Sequence, residues 1–292
     1  MLFRLENISY RYPDGTLALD RISLSFAKGE RIAILGPNGC GKTTLLLHLN
    51  GILRPTSGKV YFEDKPLEYT SKSLLNLRRR VGYVFQDPND QLFAPTVRQD
   101  VAFGPLNLGE PIDRVKKSVN EALRMVGMAE YADKPPHFLS LGEKKRVAIA
   151  GVLAMHPEVL VMDEPTSNLD PMTANDILRL LLHLNQEYGL TLILATHDVD
   201  MVPLFANKLY VMSKGKIILE GSPKEIFSNT ELIRSVNLRS PRITHLFDIL
   251  KRKNHLPINK QLPLTIGEAR REILGLLNFK NMTELDKKVN CK

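Results

Sequence analysis

The chain has 292 residues, 43% of them hydrophobic, which suffices for one large core or two smaller ones, and a net charge of +8. It holds no run of about 18 apolar residues, which excludes a bilayer-spanning helix, and its two cysteines, Cys40 and Cys291, exclude a disulfide framework. The opening MLFRLENISYRYPDG lacks a basic segment followed by an apolar one, so no secretory signal and a cytosolic location are expected.

The first 30 residues alternate apolar and polar at Phe3 and Leu5, then at Ile22, Leu24 and Phe26. That period predicts half-buried antiparallel strands, turned at Pro13-Asp14-Gly15. The short continuous apolar runs IAIL (32–35), VLVM (159–162) and TLILA (191–195) suit strands buried on both faces of a parallel sheet. Helical segments lie between them, giving the rhythm of an α/β domain. Residues 111–155 read as mainly helical, and a helical subdomain over about 88–155 is expected.

IAIL runs into Gly36-Pro37-Asn38-Gly39-Cys40-Gly41-Lys42-Thr43-Thr44 and then the helical LLLHLNG. This is G-x-x-x-x-G-K-T between a strand and a helix, a phosphate-binding loop. Its glycines let backbone N–H groups converge on phosphate oxygens, and the helix N-terminus adds about half a positive charge. Lys42 is expected to reach the β- and γ-phosphates, and the Thr43 hydroxyl to hold Mg²⁺. Cys40 sits near a helix N-terminus and Lys42, both of which lower a thiol pKa; the alternative is a small filler residue.

LSLGE (139–143) precedes the helical KKRVAIAGVLAM. Ser140 and Glu143 have the spacing of a capping box, and a serine-capped helix start is also an anion site. VLVM ends in Asp163-Glu164, where a strand-end carboxylate beside the loop can hold Mg²⁺ through water. Glu164 is next, with its side chain expected to turn away from Asp163, and can act as general base on the attacking water. TLILA leads to His197, placed to position the nucleophile or to sense loss of the γ-phosphate.

KLYVM, SKGK and KIILEG predict a hairpin over 208–221, followed by a turn-like stretch to 230. From Glu231 onward 13 Lys+Arg stand against 6 Asp+Glu, a balance of +7, which leaves +1 for residues 1–230. Such a tail is either a solvated basic surface or a contact for an anionic partner. Ser240 as cap and Pro241 in the first turn predict a helix with Ile243, Leu246, Phe247 and Leu250 on one face. Thr265 to Glu268 is a capping box for a second helix. The expected domains are 1–229 and a mostly helical extension at 230–292.

With these motifs in place, residues 2–225 resemble the ATP-binding-cassette ATPases. The likeness rests on the P-loop at 36–44, a glutamine loop at Gln86, the signature at 139–143, the strand ending in Asp163-Glu164, a D-loop at 167–170 (SNLD) and a switch histidine at 197. It implies the family fold: an antiparallel β subdomain, a RecA-like parallel-sheet core and a helical signature subdomain. It implies that ATP and Mg²⁺ bind, that Tyr12 stacks on adenine, that Gln86 joins the Mg²⁺ and water shell, and that Asp170 and Gly142 serve the nucleotide interface. It also implies a head-to-tail pair of cassettes, each ATP lying between one P-loop and the partner's Ser140. Leu141 departs from the family pattern, which has glycine there; a positive φ at Leu141 is the sign of a weakened signature.

Only about 98 residues separate Lys42 from Ser140, too few for the coiled-coil insertion of DNA-repair relatives, and there is one P-loop. QDPNDQLFAPTVRQDVAFGP (86–105), the signature helix and LPLTIGEA look like the ATPases of energy-coupling-factor importers, particularly the cobalt/nickel type. That resemblance implies a motor at the cytoplasmic face of the membrane, with an identical or related second ATPase, a transmembrane coupling subunit and a membrane substrate-binding subunit. The cargo is then a metal ion (cobalt or nickel) or a vitamin, and no nucleic-acid partner is expected. Leu92, Phe93, Pro95, Val97 and Phe103 are expected to line the docking groove, with ordinary subdomain core as the alternative. The rival reading is a nucleic-acid-associated ATPase using the basic tail.

Overall fold

Alternating side chains build the first sheet. In this computed structural model, which describes residues 1–229, 232–233, 238–254 and 261–289, β1 (Phe3–Arg11) and β2 (Leu17–Phe26) pair antiparallel across the Pro13-Asp14-Gly15 turn. The register puts Phe3 opposite Phe26, Leu5 opposite Leu24 and Ile8 opposite Ile22, all buried. The chain then leaves this layer for β3 (Arg31–Leu35) and returns as β4 (Ser57–Phe62) and β5 (Lys65–Pro66), giving the order β2-β1-β4-β5.

The second sheet is built from the continuous apolar runs. β6 (Val81–Val84), β7 (Val159–Asp163), β8 (Thr191–Thr196), β9 (Lys208–Ser213) and β10 (Lys216–Gly221) join β3 in the order β10-β9-β3-β8-β7-β6. β3, β8, β7 and β6 run parallel, with Ile32 beside Ile193 and Val161 beside Ile193. Every residue of β7 and β8 is buried, as two covered faces require. The predicted hairpin is β9–β10, turned at Lys214-Gly215, both with positive φ.

Helices follow the strands: α1 (Lys42–Leu49), α2 (Ser71–Arg80), α3 (Val97–Asn107), α4 (Ile112–Met125), α5 (Leu141–Leu153) and α6 (Pro171–Tyr188). α3, α4 and α5 pack on one another as the expected helical layer. Val97 is fully buried there, so it is core and leaves the set of expected docking residues.

The chain divides into two compact units. The first is Met1–His197 with Tyr210–Leu219; the second takes in the described residues of 198–209 and 220–292. Within the second, α7 (Val202–Phe205) packs on α8 (Pro223–Ser228). Its helix Arg242–Lys253 starts at the predicted place but not by the predicted cap. Pro241 holds the cap position, and Asp200 Oδ1 accepts the Arg242 N–H at 2.7 Å, which makes a Ser240 cap unnecessary. Phe247 packs with Leu262 and Ala269, backed by Ile243 and Leu250, whereas Leu246 is exposed. Thr265 Oγ1 caps the helix Ile266–Val289 through the Glu268 N–H at 3.2 Å. The Glu268 carboxylate reaches the Leu264 N–H, one residue earlier than a capping box requires.

Candidate functional site

The loop between β3 and α1 is shaped by what its glycines lack. Gly41 caps α1 with φ 104°, and a Cβ there would come within 2.5 Å of the Ala18 carbonyl. The loop is therefore seated on the end of β2. A pocket of about 490 Å³ opens above it, lined by Tyr12, Asn38, Gly39, Gly41, Lys42, Thr43, Thr44, Gln86 and Glu164, with Leu17, Ala18 and Lys214 at its rim. Gly36 and Pro37 do not line it; their carbonyls accept Lys42 Nζ at 2.9 and 3.1 Å. Tyr12 Oη and Thr44 Oγ1 are 3.0 Å apart, and the Tyr12 ring stands edge-on to Tyr10.

Cys40 is buried beneath the loop, its N–H on Pro37 O and its own carbonyl accepting the Gly215 N–H. Burial raises its thiol above the ordinary range, outweighing the nearby Lys42 charge. Burial therefore does not support an activated thiol, and the reading of Cys40 as a small filler residue stands.

The charged groups converge from three parallel strands. Glu164 follows β7 and His197 follows β8, and His197 Nδ1 lies 2.9 Å from Glu164 Oε1. The same Oε1 is 3.8 Å from Lys42 Nζ, and both partners of this ion pair are buried. Thr43 Oγ1 donates to Asp163 Oδ2 at 2.5 Å. Burial lifts Asp163 above the usual carboxylate range, against the opposing pull of the Thr43 hydroxyl. Glu164 does not continue the strand: its φ is +46°, so strand alternation does not set its side-chain direction.

Ser140 is the N-cap of α5, and the capping box forms as its spacing predicts. Ser140 Oγ accepts the Glu143 N–H at 3.3 Å, and Glu143 Oε2 accepts the Ser140 N–H at 2.7 Å. Leu141 opens the helix and is not among the residues with positive φ. A Cβ on Gly142 would meet Thr173 Cγ2 at 2.5 Å, so this glycine is required by close packing on α6 of the same chain. Asp170 caps α6, accepting the Met172 and Thr173 N–H groups at 3.0 Å. Ser140, Gly142 and Asp170 do not line the pocket of their own chain.

Lys145 is a site-adjacent residue that the sequence reading missed. It is 4% exposed, donates to the Glu164 and Ser167 carbonyls, and is pushed down to about 8 by burial. In a KKR run it reads as solvated, yet helical spacing places it with Ala148, Ile149 and Val152, all buried.

The residues present fit a magnesium nucleotide. Among the described residues no group of three His, Cys, Asp or Glu is placed to hold a metal by itself. The Thr43 hydroxyl on the pocket wall contacts the Asp163 carboxylate behind it, and the Gln86 amide and Glu164 carboxylate line the same pocket. A sparse oxygen set beside a phosphate cradle suits Mg²⁺, which draws its remaining ligands from phosphates and water.

A family model described as ABC transporter matches residues 19–167. Energy-coupling factor transporter ATP-binding protein EcfA of Methanocaldococcus jannaschii is 56% identical over 94% of this chain and 98% of its own length. The structure of cbiO1 from Clostridium perfringens, described as part of the ABC transporter complex cbiONQ, is 50% identical, with a TM-score of 0.74 over 85% of this chain and 99% of that one. A dimeric post-hydrolysis structure of the ATP-binding cassette MJ0796 bound to ADP and Pi is 30% identical, with a TM-score of 0.69 over 76% of this chain and 99% of that one.

Proposed function

The chain belongs to the ABC transporter family, among the ATP-binding proteins of energy-coupling factor transporters, and is an ATPase; on that premise we propose that it is a motor subunit in which Glu164 drives hydrolysis of an ATP seated on Lys42. The observation that carries this reading is that Glu164 Oε1, on the wall of the pocket, lies 2.9 Å from His197 Nδ1 and 3.8 Å from Lys42 Nζ.

The loop N–H groups and Lys42 Nζ bind the β- and γ-phosphates, and Tyr12 faces the adenine. Glu164 takes a proton from the attacking water at Oε1, and His197 holds that carboxylate in place through Nδ1. Thr43, Asp163 and Gln86 would hold Mg²⁺, which supplies charge neutralisation for the phosphoryl group. Ser140 and the positive end of α5 serve the γ-phosphate on a second cassette, with Gly142 and Asp170 shaping that interface. Each chain carries both a complete P-loop half and a signature with helical geometry at Leu141, so two copies suffice for two complete sites.

Residues 1–229 form the nucleotide-binding part in this reading, and 230–292 an extension suited to dimerisation. The pair works at the cytoplasmic face of the membrane with a transmembrane coupling subunit and a membrane substrate-binding subunit. The resemblance of residues 86–105 to the cobalt/nickel-type importers carries the reading of a metal ion, cobalt or nickel, as cargo, with a vitamin as the second class.

The docking surface follows from exposure. Phe93 is 66% and Phe103 48% exposed, and their rings pack edge to face at 4.8 Å. Asp100 Oδ1 holds the loop by accepting the Phe93 and Ala94 N–H groups, both at 3.0 Å. An apolar pair kept in water by a buried anchor suits a membrane partner. Phe93→Asp is expected to release the chain from its membrane complex in a pull-down while ATP affinity stays within about twofold, because a rim charge added to an apolar contact weakens docking alone. Loss of ATP binding in the same variant would make Phe93 a core residue and end the docking reading.

A further inference from the structure

α5 carries Ser140 at its start and Lys145 in its second turn, and Lys145 is buried against the turn that follows β7. The three protons of its ammonium meet three acceptors: Ser167 O at 2.9 Å, Glu164 O at 3.2 Å and Ser167 Oγ at 3.3 Å. A residue serving only to fill space here would be apolar, since burying an ammonium is unfavourable unless its hydrogen bonds are all made.

The acceptors are not scattered. Glu164 O also takes the Ser167 hydroxyl at 2.8 Å and the Ser167 N–H at 3.1 Å, while the Glu164 N–H is bound to Ala195 O at 3.0 Å. The backbone of Glu164 is therefore held on both sides, and it is held at φ +46°, a conformation a glutamate does not keep without such support. That turn sets where the carboxylate points. The first turn of α5 packs instead on α6, where Gly142 leaves room for Thr173.

We infer that Lys145 is a positioning residue for Glu164: it fixes the left-handed turn that aims the carboxylate, and it fastens that turn to the helix led by Ser140. Ser140 faces the nucleotide of the opposing cassette and Glu164 the nucleotide of its own. A shift of α5 when the opposing site fills is then transmitted to the hydrolytic carboxylate through one ammonium. The inference rests on the reading of Glu164 as the general base.

The test compares full-length wild type with Lys145→Met, Ser167→Ala and Glu164→Gln in steady-state turnover and equilibrium ATP binding. Lys145→Met keeps the volume and removes the donors; kcat is expected to fall at least about tenfold while KM and Kd for ATP stay within about twofold, because small misplacement of a reacting group acts on rate rather than binding. Ser167→Ala removes one hydroxyl from both Glu164 O and Lys145, and is expected to show the same split with a smaller loss. Wild-type kcat in Lys145→Met overturns the inference, as does a parallel loss of ATP binding, which would mark a general scaffold role. If Lys145→Met does not fold, Ser167→Ala decides: a lowered kcat at unchanged KM supports the positioning role and an unchanged kcat overturns it. Normal turnover in Glu164→Gln would instead sink the general-base reading, a result distinct from normal turnover in Lys145→Met beside an inactive Glu164→Gln.

Discussion

Glu164→Gln is expected to lower turnover about 10²-fold or more while ATP still binds, because the amide keeps the carboxylate's shape and loses its basicity. The wild-type Oε1 is 2.9 Å from His197 Nδ1 and 3.8 Å from Lys42 Nζ. Glutamine fills the same buried space and keeps an oxygen for either contact, so the pocket is not dismantled. Removing the negative charge also removes the repulsion between the Glu164 carboxylate and the phosphates, which favours a long-lived ATP-bound pair. Size-exclusion chromatography with ATP and a phosphate-release assay read the two halves of this expectation. Turnover within about twofold of wild type would remove Glu164 as the general base, since that role is worth orders of magnitude.

Lys42→Met is expected to act in the opposite way, on binding. Its Nζ is held by the Gly36 and Pro37 carbonyls of the loop, on the pocket that Lys42 itself lines. Methionine keeps the chain length and packing but removes the ammonium that offsets the Glu164 carboxylate, which then faces the phosphates directly. A hydrogen bond to a charged group contributes about 1.5–3 kcal/mol, so ATP affinity should weaken about 10- to 150-fold. Isothermal titration with ATP measures this, and wild-type affinity in Lys42→Met would remove the lysine from the phosphate site. Binding lost at Lys42 and turnover lost at Glu164 separate the two roles within one pocket.

The parts legible in the sequence are those where local and global requirements agree. IAIL, VLVM and TLILA have no polar face, so only a doubly covered parallel sheet accommodates them, and they are β3, β7 and β8. Ser140 and Glu143 specify their helix start by chemistry that needs no neighbour. β6 shows no sequence pattern because Val81–Val84 is four residues long and includes a glycine. Ser240 was assigned a cap that Asp200, 40 positions away in the chain, takes instead through the Arg242 N–H. The sequence neighbours of Cys40 would lower its thiol pKa, but its burial, which no local pattern reports, raises it. The φ of +46° at Glu164 and the burial of Lys145 depend on the packing of α5 against the turn after β7, which no local pattern reports.

The central claim is that each nucleotide is hydrolysed between the P-loop of one cassette and the signature of another. Lys42→Met and Ser140→Arg disable opposite halves of that composite site, so at an ATP concentration too low to fill Lys42→Met each variant alone should be inactive. In their mixed pair one site combines the two altered halves and the other the two intact halves. Mixing the purified variants and measuring phosphate release is therefore expected to restore ATP hydrolysis. A mixture that pairs yet stays as inactive as its components would contradict a site shared between two copies of this chain.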